Sequence, residues 1–229
     1  MDKKEHEGHR KRLDEKSNLF GFEFLEEHEQ LEKLLFVPIP RGNTNVIAHN
    51  LIERFGSLFG VLTADAEELC KVEGVGKRTA HYLHDLYALR GCIERSELAK
   101  GEKGGPILDS HDKMGKYAKT LFYGKLYEAF YMISLNKKFQ VYKIDMISRG
   151  SSDETPVYIQ EAARKALLNR AANVIVAHNH PLGVLTPSQA DIDTTVELAR
   201  AFNTIGINLL DHIIVGGGEF ISLKKIGII

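Results

Sequence analysis

The stretch from 173 to 180, Asn-Val-Ile-Val-Ala-His-Asn-His, constrains this chain more than any other. It is apolar and β-branched, as expected of a buried strand. Side chains alternate along a strand, so His178 and His180 share one face and Asn179 points to the other. Pro181 and Gly183 then end the strand and turn the chain. Thr186-Pro187-Ser188-Gln189 predicts a helix start, with Thr186 as N-cap, Pro187 in the first helical position and Gln189 closing a capping box. On that helix Ser188 and Asp191 stand three apart and share a face. Asp193 lies about 200° around the axis from Asp191 and is the poorer partner for the histidines. The result is a strand–loop–helix unit that gathers two imidazoles, a hydroxyl and a carboxylate.

Two neutral imidazole nitrogens and one carboxylate oxygen suit zinc, and three protein ligands leave one coordination position open. An ion held in this way acidifies water towards neutral pH. The expected ligands are therefore His178, His180 and Asp191, holding about one zinc per chain. The competing reading is a pair of histidines at a strand end beside an ordinary N-terminal helix carboxylate, which the helix dipole favours. Ser188 and Asp191, at this spacing on a coherent unit, weigh towards the metal.

His178-x-His180, seven residues, Ser188, two residues and Asp191 together resemble the JAMM (MPN) metalloprotease motif. Ala177-His-Asn-His-Pro-x-Gly183, Thr186-Pro-Ser188 and Asp191-Ile192 resemble the RadC branch of that family. Further RadC-like stretches are Gly8-His-Arg-x-Arg-Leu13, Leu34-Leu-Phe-x-x-Ile-Pro-Arg41, Arg54-Phe-Gly-Ser57 and Leu210-Asp-His-Ile-Ile214. The consecutive triplet His178-Asn179-His180 is not an HNH nuclease signature, whose residues are dispersed. The resemblance implies an α/β (α+β) chain: an N-terminal helical domain, then a mixed-sheet JAMM/MPN domain flanked by helices. It also implies a zinc-dependent peptidase or isopeptidase, with a protein or peptide as substrate. Glu128, at the entrance to an apolar strand, would be the general base, and Ser188 would hydrogen-bond the developing oxyanion. Glu161, near a helix start, and Asp145, in an alternating strand, are its rivals. Two features depart from the family pattern. JAMM peptidases usually carry Ser or Thr where this chain has Asn179, and Leu182, Val184 and Leu185 make the loop after the histidines more apolar than in other RadC proteins.

The segment from Glu67 to Leu83 reads as helix, Gly-Val-Gly hairpin, helix, and it resembles a helix-hairpin-helix DNA-backbone binder. Gly74 and Gly76 allow a tight turn and free backbone N–H groups for a phosphate, and Lys77 and Arg78 add charge. The same pattern also makes a corner for packing, and Glu67, Glu68 and Glu73 dilute the local charge. The alternative function is therefore a DNA-binding repair or recombination accessory protein whose metal domain is structural or an interaction platform. A deaminase would need a pair of cysteine ligands, which the chain lacks.

The formal net charge of −1 gives no global pull towards nucleic acid or acidic membranes. Residues 1–16 mix six basic with five acidic side chains and read as a polar tail or solvated helix. Cys70 and Cys92 form no CxxC pair, and no long apolar span or leader is evident, so a reducing cytoplasm is the expected compartment. Glycines at 101, 104 and 105 with Pro106 mark a linker over 96–112, between a helical domain at 1–95 and a metal-binding domain at 113–229. Gly216-Gly217-Gly218 predicts a hairpin, because no helix follows it. His212, in an apolar strand, reads as a core histidine or one that supports a ligand.

Overall fold

The computed structural model describes residues 3–150 and 155–229. These form two compact units, divided between Ala88 and Leu89. No described helix is long and apolar enough to cross a membrane.

The first unit is helical: α1 (Lys3–Phe20), α2 (Glu27–Leu35), α3 (Thr44–Phe55), α4 (Leu58–Thr63), α5 (Ala66–Leu69) and the start of α6 (Lys77–Leu98). Short polar side chains open three of them. Asn43 accepts from the amide of Val46, Ser57 from that of Gly60, and Asp65 from that of Glu67. Each such cap contributes about 1 kcal/mol. Gly56, at φ 82°, closes α3 in the left-handed conformation that suits glycine. Leu31, Leu35, Ala48, Leu51, Val61, Leu69 and Leu83 form the core. The polar start of the chain belongs to α1, and its motif residues hold α1 in place. His9 Nε2 pairs at 3.0 Å with the buried Glu32 carboxylate, which also accepts from Thr44 and Asn45. The Arg10 guanidinium donates to the carbonyls of Ile39, Pro40 and Gly42.

The second unit is a five-stranded mixed sheet in the order β2-β1-β3-β4-β5. Its elements are α7 (His111–Lys119), β1 (Ala129–Leu135), β2 (Val141–Arg149), α8 (Thr155–Leu168), β3 (Asn173–Asn179), α9 (Gln189–Thr204), β4 (Asn208–Gly216) and β5 (Glu219–Ser222). Only β3 and β4 pair in parallel, and α9 makes the crossover between them. Alternation divides the sheet's side chains between two layers. Ile133, Leu135, Ile175, Ala177, Ile213 and Val215 pack with Met114, Tyr117 and Ala118 of α7. Met132, Val174 and Val176 pack with Ala162 and Ala166 of α8 and Leu198 and Phe202 of α9. Every residue of β3 is buried, which explains its unbroken apolar run. Gly217 and Gly218, both at positive φ, form the two-residue turn between β4 and β5.

The division between units falls inside α6, ahead of the glycine-rich stretch at 96–112 where composition places it. Long-range contacts decide this. Arg95 donates to the carbonyl and hydroxyl of Thr120, and the Tyr123 hydroxyl donates to Glu94, so the end of α6 packs within the second unit. From Pro106 onward the chain is tied to the sheet: Val141 N donates to Pro106 O, and Leu108 N to Phe139 O.

Candidate metal centre

β3 delivers His178, and the chain leaves the ladder just after Asn179, so His180 stands at the end of this central strand with its amide on the Val215 carbonyl. The helix start differs from the sequence expectation. Ser188, not Thr186, is the N-cap of α9, and Asp191 is the third helical residue of a reciprocal capping box. Ser188 Oγ accepts from the Asp191 amide, while the Ser188 amide and hydroxyl both donate to Asp191 Oδ2 at 2.7 Å. These three bonds within one residue pair favour Ser188 as the cap. They also pin Oδ2, on the side of His180, and leave Oδ1 to face His178.

Three side chains then converge. His178 Nε2 and His180 Nε2 lie 2.9 Å apart. Asp191 Oδ1 is 3.1 Å from the first, and Asp191 Oδ2 is 3.5 Å from the second. Hydrogen bonding sets the tautomers. His180 Nδ1 faces the Val184 carbonyl at 2.7 Å, so Nδ1 carries the proton and Nε2 the lone pair. The Thr195 hydroxyl donates to the Asp191 carbonyl, so it can only accept from His212 Nδ1. His212 Nε2 is then an acceptor for His178 Nδ1–H at 2.8 Å. In the neutral ring His178 Nε2 is thus a lone pair as well. Burial holds the His212 imidazole well below its usual range, so it stays neutral as this relay requires. Burial pushes the Asp191 carboxyl up, but a His178 ring protonated on Nε2, by hydrogen bond and charge, and the Ser188 hydrogen bonds outweigh it and hold the group well below the usual carboxylate range, so a proton can stand where a cation would.

Two lone pairs and an anion facing one another are repulsive unless a proton or a metal cation lies between them. The donor set and spacing fit a metal ion such as zinc, whose tetrahedral ligands stand about 3.3 Å apart. Glu128 completes the surroundings: Glu128, His178 and His180 each offer a ligand-type atom, all within 4.8 Å of one another. The rival acids lie elsewhere. Glu161 pairs with Arg164 on the exposed side of α8, and Asp145 accepts from Asn169. Asp193 bonds Gln189 on the outer face of α9. The Ser188 hydroxyl, expected by resemblance to hydrogen-bond an oxyanion, donates to Asp191 in this structure.

Sequence reasoning did not find Thr195 or the Val184 carbonyl. Thr195 could have been suspected as the residue one turn after Asp191; the carbonyl leaves no signal in side-chain identities. His212→Leu removes the acceptor that orients His178 and is expected to weaken metal affinity about 10–100-fold with the fold retained. Competition against a metal indicator would measure this, and an unchanged Kd would reduce His212 to a packing residue.

A His-x-His at the end of the central strand and a helix-borne carboxylate on this layered mixed sheet agree with a JAB/MPN domain, a metal-dependent hydrolase-like fold. The family model described as "RadC-like JAB domain" matches residues 108–228. A UPF0758 protein of Fusobacterium nucleatum is 33% identical over the full length of both chains, and a UPF0758 protein of Ruegeria pomeroyi is 35% identical over 96% of each. The chain belongs to the RadC family.

Proposed function

We infer that this protein is a zinc metallopeptidase or isopeptidase that hydrolyses an amide bond. The observation that carries the reading is the convergence of the His178 and His180 lone pairs on Asp191, with the Glu128 carboxylate alongside. His178, His180 and Asp191 would hold one zinc. When bound, that ion would polarise the amide carbonyl and acidify a water. Glu128 takes the proton from the attacking water and passes it to the leaving amine. Ser188 first orients Asp191; its hydroxyl turns to the developing oxyanion while its amide stays on Oδ2. Zinc-loaded protein is expected to cleave members of a mixed set of peptides and lysine-linked isopeptides, to stop on chelation, and to recover when zinc returns. Cleavage that persists at full rate after complete zinc removal would sink the reading.

A second reading rests on a different observation. Gly74, Gly76, Lys77 and Arg78 are all exposed around the start of α6, while Val75 between them is buried and anchors the turn. That arrangement fits sequence-independent contact with a DNA backbone, as in a repair accessory protein. Lys77→Glu with Arg78→Glu is expected to weaken duplex binding in low-salt anisotropy measurements. Equal binding by the double variant would remove the hairpin from consideration.

A further inference from the structure

Asn179 sits between two metal-site histidines yet faces away from them, as strand alternation requires. Its role is written in the backbone of the neighbouring strand. The β1–β3 ladder ends at the pair Phe130–His178. Beyond that point the main chain of β3 turns to β4, through the bond from His180 N to Val215 O, and the start of β1, still paired with β2, loses its main-chain partner on the β3 side. The buried Asn179 side chain takes the vacated place. Its Oδ1 accepts from Ala129 N at 2.8 Å, and its Nδ2 donates to Tyr127 O at 3.1 Å. These two bonds straddle Glu128. From the other side, Gly150 N donates to the Glu128 carbonyl at 2.7 Å, and the Arg149 guanidinium lies 4.2 Å over the Tyr127 ring. The backbone from 127 to 129 is thus held on both sides, and only the Glu128 side chain is left to move.

We propose that Asn179 is the positioning residue for Glu128, gripping the backbone on either side of it and so setting where its carboxylate stands beside the His178–His180 pair. The inference rests on the reading of Glu128 as the proton-transferring group. It also accounts for the residue type. The grip needs an acceptor and a donor on one short planar group, which an amide offers. A carboxylate lacks the donor, and a serine hydroxyl is shorter and carries one proton.

The test uses the full-length protein loaded with cobalt(II), as unsubstituted chain, Asn179→Ala, Glu128→Gln and the double variant. Metal stoichiometry is expected to be unchanged in all four, because the ligands are untouched. Hydrogen exchange at the Ala129 amide is expected to rise about tenfold or more in Asn179→Ala, with the rest of β1 and β3 still protected. The visible cobalt spectrum of Asn179→Ala is expected to move as that of Glu128→Gln moves, since groups around the ligands tune the metal. The double variant should match Glu128→Gln alone. Where Asn179→Ala fails to fold, the isosteric Asn179→Asp replaces it. It keeps the acceptor for Ala129 but sets an oxygen against Tyr127 O, and the same spectral movement is expected. Unchanged exchange at Ala129, an Asn179→Ala spectrum equal to that of the unsubstituted chain while Glu128→Gln shifts, or additive shifts in the double variant would each overturn the proposal. A Glu128→Gln spectrum that does not move counts against the proposed function instead, and exchange at Ala129 then decides the grip by itself.

Discussion

His178→Ala is expected to take the bound zinc from about one per chain to near zero. The substitution removes one of three converging ligand atoms. It also leaves His212 Nε2, fully buried, without the N–H it accepts. Two ligands on an open edge cannot compete with water for the ion. Because a buried ring is deleted, some stability is lost too, about 2–4 kcal/mol by analogy with other large-to-small core changes. Asp191→Asn separates the two effects. Asparagine retains an oxygen for the Ser188 amide, and so the start of α9, but removes the negative charge facing the histidines. It should lose metal with little loss of fold. Elemental analysis beside circular dichroism measures both, and a full complement of zinc in His178→Ala would refute the ligand assignment. The same lone pairs take up protons, so affinity for the metal falls as pH falls.

Glu128→Gln is expected to leave zinc content intact and to lower amide hydrolysis about 10²–10⁴-fold, the usual contribution of a positioned general base. Glutamine matches the shape of glutamate but cannot accept the proton from water. The loss should fall on kcat with KM little changed, because the step affected is chemistry rather than binding. Steady-state kinetics on any peptide cleaved by the unsubstituted protein decides this. Hydrolysis at the unsubstituted rate would remove Glu128 from the mechanism and return the search to other groups at the edge of β3.

Much of the site was legible in order along the chain. The β-branched run at 173–179 could only be a covered strand, and Pro181, Gly183 and the polar residues before Gln189 could only be a turn into a helix. Period two put His178 and His180 on one side, and period 3.6 chose Asp191 over Asp193, which the structure places on the outer face beside Gln189. The exact cap was less legible. Thr186 and Ser188 are both good N-cap residues, and the choice fell to Ser188 because Asp191 could answer it with a second bond. Glu128 entered through family resemblance, since nothing in its own neighbourhood marks it out.

The sequence by itself determined the local units: which runs are strands or helices, and the two histidines and the aspartate that flank one loop. Such units follow from side-chain periodicity and capping among near neighbours, whose patterns are written consecutively. Tertiary structure alone decided what stands across from them. The antiparallel register of β1 on β3 brings Glu128 beside residues fifty positions away. The parallel pairing of β3 with β4 puts His212 against His178, and the packing of α9 puts Thr195 against His212. Register is chosen by the summed burial and hydrogen bonding of whole strands, so no short stretch of sequence carries it.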